Sequence, residues 1–297
     1  MNETKGLNKL RIFIYTSFAL IAFAANSVLN RLALGGNAID AGSYIGIRLA
    51  SGALTLVFLN GIDKRDFKFV KRASSDFFGN NLLPAFYLFA YGVAFSFAYR
   101  SLSSGTGAFI LFVTVQTTML SMALLKGERP YISEWLGLII AISGLVYLVF
   151  PGLSAPDPLG AFLMIIAGVA WGFYTLKGRG VRDPLESTAL NFIVSVPMVL
   201  AVNVFTYTNA HFSTEGVVYA FISGAITSGV GYAIWYAALK GLTTTQAAFL
   251  QLFVPIIAAL GGILFLSENI TSRLIGAGLL IIGGVVCALI GKRYWKF

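Results

Sequence analysis

Runs of about 20 apolar residues, separated by short polar turns, recur along the whole chain, and a run of that length can cross a lipid hydrocarbon core as a helix. Ten are read, over approximately 11–33, 41–60, 79–99, 103–125, 131–150, 158–177, 186–207, 215–239, 243–266 and 271–291. The turns leave little room for a soluble domain. The pattern predicts an all-α fold, a polytopic membrane protein with ten transmembrane helices. The first run has the form of a signal peptide, with Lys5, Lys9 and Arg11 before an apolar core and Ala22-Phe23-Ala24 as a cleavage-like site. A counterpart in the second half argues against that. Phe23-Ala24-Ala25-Asn26 leads to Arg31 as Trp171-Gly172-Phe173-Tyr174 leads to Arg179.

The two halves repeat more widely. Ala98–Val146 aligns without a gap on the stretch 140 residues later, with ten of 49 positions identical. Apolar matches are common in so hydrophobic a chain. More informative is a base (Arg100, Lys240) and an acid (Glu128, Glu268) falling in one register. The repeats are read as 11–150 and 158–291, joined by Pro151-Gly152-Leu153-Ser154-Ala155-Pro156, which cannot continue a helix. Five helices per half would insert the second half the opposite way up. This is inverted topology, in which transporters place a site at the repeat interface.

Composition agrees. The 297 residues are 57% hydrophobic and 11% charged, with a mean hydropathy of +0.81; soluble domains carry about 25% charged residues. The single cysteine, Cys287, excludes a disulfide framework within the chain, and the single histidine, His211, has no cluster of metal ligands around it. The net charge of +9 is topological. With the N-terminus inside, 17 of the 21 bases fall in cytoplasmic segments, leaving Arg31, Arg48, Arg100 and Arg273. The segment from Gly61 to Phe78 is the most basic of these, and both termini are expected in the cytoplasm. No nucleic acid is implied, because the bases are not gathered on one face.

All twelve acids fall at helix ends or in loops, so no mid-membrane carboxylate is available as a proton relay. Glu128 and Glu268 precede helices whose first free N–H groups a carboxylate can cap, and Thr271 offers a similar cap after Glu268. Arg48 is the only charge well inside a predicted helix. Either it faces a cavity and meets an anionic group, or it snorkels toward the outer interface or caps backbone carbonyls. Gly137, Ser143, Gly144, Gly276, Gly278, Gly283 and Gly284 let backbones approach closely, within the bundle or across a homodimer. The candidate substrate-binding residues are Asn26, Tyr87, Tyr91, Gln116, Trp171, Tyr174, Tyr232, Trp235 and Gln246. Tyr87 and Tyr91 share a helix face. Amide side chains are costly against lipid, so Asn26, Gln116, Gln246 and Gln251 should turn inward. No catalytic or metal-ligating residue is identified and no cofactor is implied. A membrane enzyme would need a base–nucleophile pair or a metal in the spans.

These features together resemble the drug/metabolite transporter superfamily, in its ten-helix EamA type. The resemblance is carried by Trp171-Gly172 in helix six, the turns ending at Arg100 and Lys240, and Glu128 and Glu268. Helix one departs from the pattern, with Phe23-Ala24 where Trp-Gly is expected. The segment from Trp171 to Leu176, with Arg179 and Asp183-Pro184-Leu185, is similar to bacterial amino-acid exporters. The resemblance implies helices one to four and six to nine around a cavity, with five and ten peripheral. It implies an inner-membrane transporter of a small organic metabolite, most simply an aromatic or neutral amino acid moved outward by alternating access. Two alternatives stand beside it: another cargo, namely a nucleoside-type compound, a sugar or a lipophilic drug, and a non-transporting membrane protein such as a scaffold or receptor.

Overall fold

The computed structural model describes residues 2–64, 81–125, 127, 131–150, 155–179 and 181–294. Glu128 and most of the basic segment around Lys68 lie outside them. The described residues form helices α1 (Asn2–Gly35), α2 (Ala41–Lys64), α3 (Leu82–Ala98), α4 (Ser104–Leu125), α5 (Ile132–Val149), α6 (Pro158–Gly178), α7 (Pro184–Thr206), α8 (Thr214–Leu239), α9 (Thr244–Gln251), α10 (Val254–Leu266) and α11 (Ser272–Tyr294). Seven are long and apolar enough to cross a membrane: α2, α4, α5, α6, α7, α8, and α1 from Lys9. Shorter apolar helices span Leu82–Ala98, Val254–Leu266 and Ser272–Gly284. The only β-structure among the described residues is an isolated bridge between Ile39 and Phe212. The protein is an all-helical, multi-pass membrane protein, and large side chains such as Leu125, Val204, Phe205 and Leu264 face outward, where lipid can cover them.

Polar residues at the turns start and stop the helices. Asp157 and Asp183 accept hydrogen bonds from Gly160 N (2.6 Å) and Glu186 N (3.0 Å), each with proline at the next position. A carboxylate cap and a residue with no N–H to satisfy are both suited to a helix start. Ser213 caps α8 through Gly216 N. Thr271 caps α11 through Leu274 N, as expected from the sequence. Glu268 behaves differently. Its carboxylate does not serve the helix that follows; it accepts from Ser104 N at the start of α4, far away in sequence. Ser267 adopts a left-handed conformation (φ 52°) at the end of α10 and turns the chain back, which brings Glu268 over Gly262.

The run read as one helix over 243–266 is broken. α9 ends at Gln251 and α10 begins at Val254. Pro255 supplies the reason: it has no N–H for the Gln251 carbonyl and its ring crowds the preceding turn. A second irregularity lies in α8, where Ser223–Val230 is π-helical.

Packing is interleaved. α3 and α4 lie on α6, while α8 and α10 lie on α1; α2 pairs with α7, α4 with α10, and α5 with α11. α2 and α7 are tied at both ends. Lys64 pairs with Asp183 (2.6 Å) and Glu186 at one end. At the other, Asp40 accepts from Ser43 N (2.9 Å) and from His211 N (3.1 Å), just beyond α7. α5 and α11 pack chiefly on each other, where a Cβ on Gly144 or Gly284 would strike the facing backbone.

Candidate functional site

Aromatic rings from α1, α3, α6 and α8 meet at the centre of the bundle. Phe23 of α1 is their common neighbour. Its ring lies 5.5 Å from Trp171, 5.7 Å from Tyr232 and 5.5 Å from Trp235, all edge-on, and 6.5 Å from Phe112. Trp171 also contacts Tyr91 (4.9 Å), Tyr174 (5.4 Å) and Tyr232 (4.7 Å). Edge-to-face and tilted arrangements suit the ring quadrupole, and each pair contributes about 0.5–1.5 kcal/mol beyond burial.

A polar layer runs beside the rings. Asn26 donates to Ser228 Oγ (3.3 Å) and Tyr232 Oη (3.4 Å), and its Oδ1 accepts from Ser223 Oγ (2.5 Å). The π-helical stretch explains how one asparagine reaches both serines. With i→i+5 hydrogen bonding, Ser223 and Ser228 come into line on one face, and such segments recur at functional sites. Close approach of α2 and α8 is permitted by Gly52 and Gly224. A Cβ at Gly224 would overlap the Arg48 carbonyl and Ser51 Oγ. Arg48 is thereby held against α8. Its Nε donates to Ser228 Oγ (3.0 Å) and its Nη2 to Tyr232 Oη (2.9 Å) and Tyr91 Oη (3.3 Å). At 1% exposure it does not snorkel to an interface, and its hydrogen-bond partners are neutral side chains. Tyr232 Oη donates onward to Tyr91 Oη (3.2 Å).

Six of the nine predicted residues are therefore brought together: Asn26, Tyr91, Trp171, Tyr174, Tyr232 and Trp235. Gln116 is buried one turn from Phe112, with neither amide atom hydrogen-bonded among the described residues. Tyr87 lies at the rim, half-buried, its ring stacked on Phe173 (5.3 Å). Gln246 does not join them. It is exposed and closes a capping box at the start of α9: Thr243 N donates to its Oε1 (2.9 Å) while its own N–H donates to Thr243 Oγ1 (3.2 Å). A Thr-x-x-Gln spacing before a helix carries this meaning, and the sequence reading passed over it. The inward glutamine of that segment is Gln251, fully buried, whose Oε1 accepts from Trp171 Nε1 (2.9 Å).

Phe23, Arg48, Ser223, Ser228 and Gln251 belong to the cluster beside the predicted residues. Three had a legible signal, Gln251 being an amide in an apolar run that should turn inward. Phe23 holds the position that Trp171 holds in the second half, and Arg48 is a lone charge in an apolar run. The serines had none, because a π-helical register is not visible in side-chain periodicity.

Two cavities open at the end of the bundle that carries the α1–α2 turn. One, of about 370 Å³, is lined by residues including Asn37, Asp40, Phe97, Arg100 and His211. The other, of about 450 Å³, shares Leu34, Asn37, Phe97 and Arg100 and reaches Asp157. None of the ring-cluster residues lines either one. The cluster is closed, its rings filling the centre themselves. Among the described residues no group of three or more His, Cys, Asp or Glu side chains could hold a metal ion.

Comparison with known proteins agrees with this architecture. Residues 158–290 match the EamA-like transporter family. An uncharacterised protein of Pseudomonas aeruginosa is 44% identical over 279 residues, covering 94% of each chain. The threonine/homoserine exporter RhtA of Escherichia coli is 24% identical over 258 residues (86% of this chain, 82% of RhtA). The uncharacterised transporter YoaV of Bacillus subtilis is 22% identical over 255 residues (82% and 85%). A solved crystal structure shares the fold with a TM-score of 0.69 at 17% identity, over 94% of this chain and 98% of that one. A membrane-spanning helical bundle with a polar and aromatic centre, matched along nearly its whole length by such relatives, is a transporter and not an enzyme: the chain belongs to the EamA-like family of the drug/metabolite transporter superfamily.

Proposed function

We propose that the protein exports an amino acid, neutral or aromatic, from the cytoplasm by alternating access, and that the ring cluster is its cargo site. The observation that carries this reading is the composition of the cluster. Rings, amides and hydroxyls from both halves of the chain converge there, and they suit a small cargo with an apolar side chain and several hydrogen-bonding groups. Asn26, Tyr91, Gln116, Trp171, Tyr174, Tyr232 and Trp235 would line the site once it opens, with Tyr87 at its rim. The similarity to a threonine/homoserine exporter supports the cargo class.

Two inverted five-helix repeats, 11–150 and 158–291, with ten spans in all, are part of the same proposal. The interleaved packing supports them: α3 on α6 answers to α8 on α1, and α4 on α6 to α10 on α1. The bias of the basic residues supports an inner-membrane location with both termini cytoplasmic. Labelling single cysteines with an impermeant reagent, in a Cys287→Ser background, tests the orientation. Labelling at position 68 in intact cells would reverse it.

The cargo is tested by growth under a panel of inhibitory amino acids and analogues, with and without overexpression. Raised tolerance to threonine, homoserine or aromatic amino acids is expected. Tolerance raised only to nucleosides, sugar analogues or lipophilic drugs would replace the cargo assignment.

A further inference from the structure

The ring cluster holds a full charge, and no carboxylate among the described residues neutralises it. Arg48 is buried, at 1% exposure, about two turns into α2. Its hydrogen-bond partners, Ser228, Tyr91 and Tyr232, are all neutral, and its guanidinium lies 5.4 Å and 5.3 Å from the ring centroids of Tyr91 and Phe95. No carboxylate among the described residues forms an ion pair with it. Its Nη1 is buried with no hydrogen-bond partner among the described residues.

That arrangement is costly. A buried charge is ordinarily paired, and an ionisable group within a membrane marks a substrate or ion pathway. Arginine cannot escape by losing its proton. An apolar residue at position 48 would avoid the whole penalty and would still pack against Phe95. The side chain is also aimed. Nε and Nη2 are fixed by Ser228 and the two tyrosines, which leaves the two N–H groups of Nη1 as the unused donors. A planar fork with free donors, held rigidly in a low-dielectric site, is suited to a carboxylate.

We propose that Arg48 is the anion receptor of the cargo site, so that the transported class is small monocarboxylates whose carboxylate completes the ion pair at Nη1. This deepens the amino-acid reading and depends on the ring cluster being the cargo site. A zwitterion would place its carboxylate on Arg48 and its ammonium over neighbouring ring faces such as Trp171.

The test uses the full chain in lipid nanodiscs and follows thermal protection against ligand concentration. The probes are L-threonine and L-phenylalanine, their amides, and the simple monocarboxylates 3-phenylpropionate and acetate. An acid should bind on the order of 10- to 100-fold tighter than its amide, the range of a charge-assisted hydrogen bond. That ratio should fall to about one in Arg48→Gln, through loss of acid binding alone. Arg48→Lys should keep the preference with weaker affinity, because the charge remains and the fork is lost. If Arg48→Gln does not fold, the wild-type ratio and Arg48→Lys decide. Protection by simple monocarboxylates without protection by amino acids would keep Arg48 as receptor and remove the amino-acid cargo. Equal protection by acid and amide would keep the amino-acid cargo and overturn the receptor. No protection by any carboxylate would overturn it as well.

Discussion

Arg31 Nε lies 3.5 Å from Glu268 Oε1, and each member of the pair also closes a different helix end. Arg31 Nη1 donates to the carbonyls of Tyr99 and Arg100, both at 3.2 Å, where α3 stops. Glu268 accepts from Ser104 N (3.0 Å), where α4 starts. The cation thus meets the negative end of one helix dipole and the carboxylate the positive end of the next. One ion pair ties α1, α3, α4 and the α10–α11 turn together.

Loss of this cap should appear in stability. Glu268→Ala is expected to destabilise by about 0.5–2 kcal/mol, as for other caps, and Glu268→Gln by less, since an amide oxygen still accepts from Ser104 N. Thermal unfolding of purified protein measures both. An unchanged melting temperature in Glu268→Ala would remove the capping account. Glu128 occupies the same register of the repeat, and Glu128→Gln is likewise expected to lose stability while keeping most transport. Abolished transport at normal stability would give Glu128 a direct role instead.

Two tyrosines of the candidate site should respond unequally to removal of the hydroxyl. Tyr232 Oη accepts from Arg48 and Asn26 and donates to Tyr91. Tyr232→Phe leaves those groups short of a partner and should cost about 1–3 kcal/mol, with transport reduced. Tyr87 contributes a ring stacked on Phe173, and its hydroxyl makes no hydrogen bond among the described residues. Tyr87→Phe should stay within about 0.5 kcal/mol of the wild type. Flux and melting curves on the same preparations distinguish the two, and equal effects would contradict the geometry.

Acid should loosen the turn between α1 and α2. Burial pushes the Asp40 carboxyl up, but hydrogen bonds from Ser43 and from the His211 backbone outweigh it and hold the pKa below the usual carboxylate value. A depressed pKa contributes stability that is present above the unfolded value, about 3.9 for aspartate, and is lost as pH falls through the folded value. Asp183, hydrogen-bonded by Glu186 N and paired with Lys64, is lowered by the same balance and acts in the same direction. Asp40→Asn should flatten the loss of thermal stability below about pH 4. A steep acid transition unchanged in both Asp40→Asn and Asp183→Asn would place its origin elsewhere.

Transport should not be driven by a proton gradient. The acids lie at helix ends or in loops, and tyrosine, with a pKa of about 10, is a poor proton carrier near neutrality. Reconstituted vesicles with a fixed cargo gradient should show the same flux with and without a pH difference. Accumulation driven by a pH difference alone would refute a uniport or exchange mechanism.

Much of this protein is written in hydropathy. A run of about 20 apolar residues has few other stable fates than a membrane helix, so the helical, multi-pass fold was legible, as was the cap at Thr271. The inward turn of Asn26, Tyr91, Trp171 and Tyr232 was legible too, because polar groups cannot face lipid without cost. What the sequence could not decide depends on contacts between segments far apart in it. Glu268 precedes one helix and caps another, since the left-handed turn at Ser267 redirects it across the bundle to Ser104. Gln246 and Gln251 are the same residue type five positions apart; one caps a helix and the other meets Trp171, and the break ahead of Pro255 ends α9 just beyond the second. Arg48 read equally well as a surface or a buried charge. Only the close passage of α2 over Gly224, beside a π-helical stretch that side-chain periodicity does not reveal, turns it inward onto Ser228, because a side chain's surroundings are set by the backbones packed around it.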